Sequence, residues 1–155
     1  MVGRLADEIR QTKPFSSLEE EAILGIQRTA SVLEQAVAEA LRPWRLSSTQ
    51  YNVLRILRGA GAGGLACQEI AGRMVTRDPD VTRLLDRLEA RGLIARSRSR
   101  EDRRVVVGRI SPAGRRLLAS ADPSIAGLPE RLLGHLGERR TRLLVELLER
   151  VRKGA

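Results

Sequence analysis

Aromatic residues are nearly absent from this chain: 155 residues hold one Trp, one Tyr and one Phe, so Leu, Ile, Val and Ala must build its interior. Lysine is almost as rare, confined to Lys13 and Lys153. The lone Cys67 excludes an intramolecular disulfide and fits a reducing, cytoplasmic setting. With one His and one Cys, a subunit cannot assemble a metal site except from carboxylates, and these do not cluster, so no metal and no cofactor is expected. No apolar run approaches the ~18 residues of a membrane span. The N-terminus MVGRLADEIRQTKPF lacks the apolar stretch of a signal peptide. The glycines at 59–64 lead to no Lys-Ser/Thr pair, and no Ser or Cys has a supporting His pattern, so the chain is not expected to be an enzyme.

What is present is arginine, and its placement is informative. The formal charge is +9, with net −3 over residues 1–40, +8 over 41–111 and +4 over 112–155. A habitual preference for Arg over Lys explains the identity of these bases but not their concentration in the middle of the chain. Arg is also the side chain best suited to forked contacts with phosphate and guanine. The length suits a single domain, residues 1–155, carrying helical arms.

Residues 5–11 read as a short helical arm ended by Pro14. Ser16-Ser17 before Glu19, Glu20 and Glu21 predict a helix start, and apolar residues at 23, 26, 30, 33, 37 and 41 predict one long amphipathic helix that Pro43 stops. Ser47 to Gln50 form a capping-box sequence, with Leu46 and Tyr51 as its hydrophobic staple. Tyr51, Leu54 and Leu57 supply the apolar face of the helix so capped. Gly59 to Gly64 read as a flexible link, and a short helix is expected from about Ala66 to Met74. Thr76-Arg77-Asp78-Pro79 reads as the start of the next helix, with Pro in its first turn. That helix buries Val81, Leu84, Leu85 and Leu88 and ends at Gly92. Leu93 to Ala95 and Val105 to Ile110 read as two short strands, and Arg96 to Arg104 as a charged hairpin tip between them. Ser111-Pro112 starts another helix, and Pro123, Gly127 and Pro129 punctuate the segment beyond its first turns. The chain ends on an amphipathic helix. The fold class is therefore mainly α with a small β-hairpin wing.

A short helix, a turn, a longer helix and a basic hairpin are the parts of a winged helix–turn–helix, in which the second helix enters the major groove of double-stranded DNA. On that helix Arg77, Asp80, Thr82, Arg83 and Arg87 lie on or near the outer face, with Arg83 the preferred base reader and Arg77 second. In the wing, Arg96, Arg98, Arg100, Arg103 and Arg104 crowd one loop, an unfavourable density without a polyanion nearby. Asp102 is expected to orient the Arg104 guanidinium toward the minor groove, leaving Arg96, Arg98 and Arg100 to phosphates.

Residues 46–118 resemble the MarR (multiple-antibiotic-resistance regulator) family of bacterial transcription factors. The family's Asp-x-Arg, five residues, Leu-Thr-x-x-Gly signature is matched by Asp102-Arg103-Arg104 and Ile110-Ser111-Pro112-Ala113-Gly114, with conservative swaps at 110 and 111. Val81 to Glu89 and Arg91-Gly92-Leu93 match its recognition helix and wing entry, and Arg77-Asp78-Pro79 departs from it. The resemblance implies a homodimer that reads a palindromic operator. Residues 1–42 and 112–155 would be the dimerisation helices and 46–111 the DNA-binding lobe. It further implies a sequence-specific regulator, most simply a repressor released by a small aromatic or phenolic effector near Trp44 and Tyr51. For those two scarce aromatics core packing is the plainer role, as a buried thiol is for Cys67 against an oxidant sensor with Arg73 nearby. A DNA-coating architectural protein and a protein–protein winged-helix module are the competing functions.

Overall fold

In the computed structural model, residues 5–76 and 80–154 are described. They fall into two compact units, residues 1–36 and 37–155. In the first unit, α1 (Leu5–Glu8) meets the middle of α2 (Leu18–Leu41) through an ion pair between Glu8 and Arg28 at 3.4 Å. Ser17 Oγ accepts the Glu20 N–H at 3.1 Å, and the Glu20 carboxylate accepts from the Ser16 N–H and hydroxyl, so α2 opens with reciprocal capping bonds that satisfy the Glu20 amide. Pro43 ends the helix as expected, in a single 3₁₀ turn over Arg42–Trp44.

The second unit is built on α3 (Ser48–Gly59), α4 (Cys67–Arg73), α5 (Val81–Ala90) and a three-stranded antiparallel sheet. The capping box at the head of α3 forms as read: Ser47 Oγ accepts the Gln50 N–H at 3.1 Å, and Gln50 Oε1 accepts the Ser47 N–H at 3.1 Å. Leu46 and Tyr51 are both buried beside it. One aliphatic core joins Leu41, Leu54, Leu57, Ile70, Leu84, Leu85, Leu88, Ile110 and Leu118. Burying such side chains is worth ~1.5–3 kcal/mol each, and this drives the assembly in the near absence of aromatics.

The glycine run does more than link. It ends in Gly64, at φ +71, which delivers Leu65–Ala66 as a two-residue strand, β1, against the edge of β3 (Val106–Ile110). Strand β2 (Ile94–Arg98) pairs on the other side of β3, with Ile94 opposite Ile110 and Arg98 opposite Val106. β2 thus runs three residues beyond the expected strand, and Arg96 and Arg98 belong to the ladder rather than to the tip. The side chains at 95–98 are charged or small, so polarity reads as loop while the backbone pairs regardless.

Helix α6 (Pro112–Ala126) runs through Pro123, a residue that in sequence reads as punctuation. Only the Ala119 carbonyl loses a helical partner there, and the buried Leu118 and Ala121 hold the segment on the core. Then α7 (Leu128–Leu133) and α8 (Gly137–Lys153) complete the chain. No residue of α8 is buried, and Leu143, Val145, Leu147 and Val151 are each about half exposed. Among the described residues no helix is long and apolar enough to cross a membrane.

Candidate nucleic-acid interface

The candidate reading helix begins later than its sequence indicates. Helix α5 starts at Val81, and Asp80 is its N-cap, with Oδ1 accepting the Arg83 N–H at 3.1 Å. Thr76 lies in a bend, so the expected start at Thr76 with Pro in the first turn is not formed there; Arg77, Asp78 and Pro79 lie outside the described residues. Asp80 accounts for the shift, because a carboxylate at the N-cap satisfies an otherwise orphaned amide and complements the helix dipole. Its second oxygen pairs with Arg83 Nε at 3.1 Å.

From this start α5 turns Leu84, Leu85 and Leu88 into the core and leaves Thr82, Arg83, Asp86 and Arg87 exposed. Its C-terminus closes in a Schellman motif: Gly92, at φ +67, donates to the Glu89 carbonyl, and Leu93 donates to that of Leu88. Arg91 reaches back to the carbonyls of Trp44 and Arg45, at 3.1 and 2.7 Å, fixing this end of the helix against the entry to the lobe.

The wing arginines divide into two kinds. Arg96, only 20% exposed, lies against α5: its guanidinium pairs with Asp86 and Glu89, and Glu89 also accepts the Arg96 backbone N–H. Those hydrogen bonds hold the Glu89 carboxyl below the usual carboxylate range and raise Arg96 further. Arg96 therefore acts as a strut between wing and helix. Arg98, Arg100, Arg103 and Arg104 are exposed, and among the described residues none forms an ion pair.

The tip is organised by its backbone. Ser99 donates to the Val105 carbonyl at 2.8 Å, Val105 to that of Asp102 at 3.0 Å, and Arg98 Nη1 to that of Arg103 at 3.2 Å. Asp102 Oδ1 accepts the Arg104 backbone N–H at 2.9 Å. The expected bond from Asp102 to the Arg104 guanidinium is not formed; a side chain two residues upstream closes an Asx-type turn more readily than it reaches a long arginine.

The Ile110–Gly114 segment is structural. Ser111 Oγ caps α6 through the Gly114 N–H at 3.0 Å and donates to the Gly92 carbonyl at 2.6 Å, while the Ser111 N–H donates to the Leu93 carbonyl at 3.0 Å. A Cβ on Gly114 would stand 2.1 Å from that Leu93 carbonyl oxygen, so only glycine lets α6 sit on the wing root. The sequence signature thus marks a three-way joint of reading helix, wing and α6.

Tyr51 and Trp44 are placed near each other in chain and core but in different roles. Tyr51 is buried and its hydroxyl donates to Asp122 Oδ1 at 2.8 Å, while Arg58 Nη1 pairs with Asp122 Oδ2 at 2.5 Å, tying α3 to α6. Burial first, then the Asp122 hydrogen bond and charge, push the Tyr51 phenol up to about 12. Burial alone would raise Asp122, but hydrogen bonds from Arg58 and Tyr51 outweigh it and hold that carboxyl below its ordinary value. Trp44 packs half-buried against the same core. Cys67 is half-buried, its thiol pushed up by burial, and the cation that partly offsets this is Arg96 rather than Arg73.

Comparison with known proteins gives a consistent picture. The sequence profile of the MarR family matches residues 46–106. The chain is 30% identical over 106 residues to the HTH-type transcriptional regulator MhqR of Bacillus subtilis (strain 168), spanning 68% of this chain and 72% of that one. A MarR transcription factor from Planctomyces limnophilus is similar in structure, with a TM-score of 0.66 and 40% identity over 88% of this chain and 98% of that one. The transcriptional repressor CouR of Rhodococcus jostii RHA1 is similar in two states. Bound to a 23-mer DNA duplex it gives a TM-score of 0.77 at 28% identity, over 92% of this chain and 99% of that one. Bound to p-coumaroyl-CoA it gives 0.72 at 25% identity, over 88% and 95%.

Proposed function

The chain belongs to the MarR family of DNA-binding transcriptional regulators, and from that premise we propose that it is a homodimeric, ligand-released repressor of a palindromic operator. The observation that carries the DNA contact is the division among the arginines. Arg96 is neutralised by Asp86 and Glu89, whereas Arg98, Arg100, Arg103 and Arg104 project from an ordered hairpin with no carboxylate partner among the described residues. Four such charges on one hairpin, three of them at its tip, are favourable only beside a polyanion. In this reading Arg83, Thr82 and Arg87 face base edges, Asp80 sets the register of the helix, and Arg104 with Arg103 enters the minor groove. Arg98 and Arg100 meet phosphates, and residues 46–111 form the DNA-binding lobe.

The dimer rests on surface that one chain leaves wet. The α8 aliphatics Leu143, Val145, Leu147 and Val151 are about half exposed, and on α2 so are Ile23, Ile26 and Val32. Apolar stripes of this kind mark interfaces. A two-fold axis between residues 1–42 and 112–155 of two copies would set the reading helices ~34 Å apart, in successive major grooves. A small aromatic or phenolic effector acting near Trp44 and Tyr51 is the proposed release signal, in keeping with the p-coumaroyl-CoA complex of CouR.

The test is selection of binding sequences from random duplex DNA by the purified protein, with its mass in solution measured alongside. Enrichment of an inverted repeat by a particle of two chains, with affinity falling steeply with salt, is the expected result. A monomer, or a protein that binds random duplex as tightly as its best selected sequence, overturns the proposal. The second outcome leaves the architectural function instead.

A further inference from the structure

Val75 is the most exposed large aliphatic residue described, at 89%, and it stands in the turn between α4 and α5. Single exposed apolar residues are common on protein surfaces, so exposure alone carries no meaning. Three features of this one do. Its backbone is pinned, since the Val75 N–H donates to Asn52 Oδ1 of α3 at 3.1 Å. Its direction is set as well: Met74 is extended, at φ −68 and ψ 141, and buried, so the next side chain turns away from the core. Its surroundings complete the case. Asn52 lies three residues from Thr49, hence on the same face of α3, and Thr49 borders a concavity with Asp80 and Arg83 at the head of the reading helix. Asn52 therefore fixes Val75 along the same strip of the lobe from which Arg83 projects.

The geometry points to Val75 as a specificity-determining residue that reads the C5-methyl group of a thymine in the major groove. This rests on the DNA-binding reading above. Apolar side chains distinguish thymine by contact with that methyl, the one apolar group on a base edge in the groove. A valine held by its own backbone presents two methyl groups with little entropy left to lose, and Asn52 serves as its positioning residue.

The experiment is a cycle between protein and DNA. Using a duplex selected by the wild-type chain, each thymine of one half-site is replaced in turn by uracil, which removes only the methyl group. Binding is measured for wild type, Val75→Ser and Val75→Thr, each first checked for an unchanged Tm. At one thymine the replacement should weaken wild-type binding about three- to fourfold, the worth of one buried methyl group. It should leave Val75→Ser unaffected, while Val75→Thr, which keeps one methyl, should retain part of the effect. Equal relative losses in wild type and Val75→Ser at every thymine, or a selected half-site without thymine, overturn the inference while the DNA-binding reading stands. A wild-type chain that selects no sequence overturns both.

Discussion

Asp102 holds Arg104 by its backbone and not by its charge: Oδ1 accepts the Arg104 N–H at 2.9 Å, and the guanidinium is left to the solvent side of the wing. The aspartate shapes the turn from which the arginine projects. An amide oxygen can accept the same N–H, so Asp102→Asn should keep most of the DNA affinity. Asp102→Ala should lose about three- to tenfold, the scale of one exposed hydrogen bond. Titration of both variants against one duplex decides the matter; equal loss in both would mean that the carboxylate charge, rather than the turn, is what the wing needs.

The Arg96 strut should matter to stability and to binding together. Arg96→Ala takes the guanidinium away from Asp86 and Glu89, leaving Glu89 only the backbone N–H of residue 96 and two uncompensated charges on the face proposed to meet DNA, so Tm should fall and affinity with it. Arg96→Lys should restore only part of either, because an ammonium lacks the planar fork by which Nε and Nη2 together grip Glu89 while Nη2 reaches Asp86. Thermal melts with and without duplex measure both effects.

Arg83 and Arg104 should separate sequence reading from general grip. Arg104→Ala is expected to weaken binding to all duplexes and to flatten the salt dependence by about one phosphate contact. Arg83→Ala should change which bases are preferred, by ~1–3 kcal/mol at the position it reads. Its 3.1 Å pairing with Asp80 is exposed and open to exchange, so it is no obstacle to reaching DNA. Repeating the sequence selection with each variant tests this: an unchanged preference for Arg83→Ala would remove Arg83 as the base reader.

Gly114→Ala should be among the most damaging single-methyl changes in the lobe. The added Cβ would lie 2.1 Å from the Leu93 carbonyl oxygen and 2.9 Å from Ile110, with backbone on one side and a buried side chain on the other. Relief requires α6 to move off the wing root, at a cost of about 1–3 kcal/mol or more. Denaturant melts read it directly, and a change within 0.5 kcal/mol (roughly the surface-substitution range) would show that the joint is soft.

Tyr51 is the only tyrosine, so the tyrosinate absorbance band titrates that residue alone. Its midpoint should be about 12 rather than near 10 while the lobe stays folded, and Asp122→Asn should bring it down. The folded phenol binds its proton more tightly than the unfolded one. Its contribution to stability is therefore complete below pH 10 and lost as pH rises from 10 toward 12. Asp122 runs the other way, because its folded carboxyl is held low: that contribution is present above its ordinary range and disappears as acid protonates it.

Much of this fold was legible in the sequence because its signals are local. Ser47 and Gln50 cap a helix through bonds spanning three residues, Gly92 ends one through a positive φ, and Leu84, Leu85 and Leu88 recur at helical spacing. Such features need no distant partner to take effect. Strand β1 was not legible, since two residues carry no periodicity and Leu65–Ala66 is extended only because β3 offers an edge. The head of α5 is misleading in sequence for a related reason. Thr76 to Pro79 reads locally as the start, whereas the helix that forms is capped by Asp80.

The arginines show the same boundary within the candidate site. That the middle of the chain is cationic, that a charged hairpin follows a helix, and that Asp102 acts on Arg104 were all determined by order and composition. Which arginine stays available was decided by tertiary structure, because Asp86 and Glu89 meet Arg96 only once strand β2 lies against α5. The atom through which Asp102 acts was likewise settled by the path of the loop. Local hydrogen bonds and periodicity are written in neighbouring residues, whereas charge pairing and edge pairing depend on which surfaces the packed core brings together.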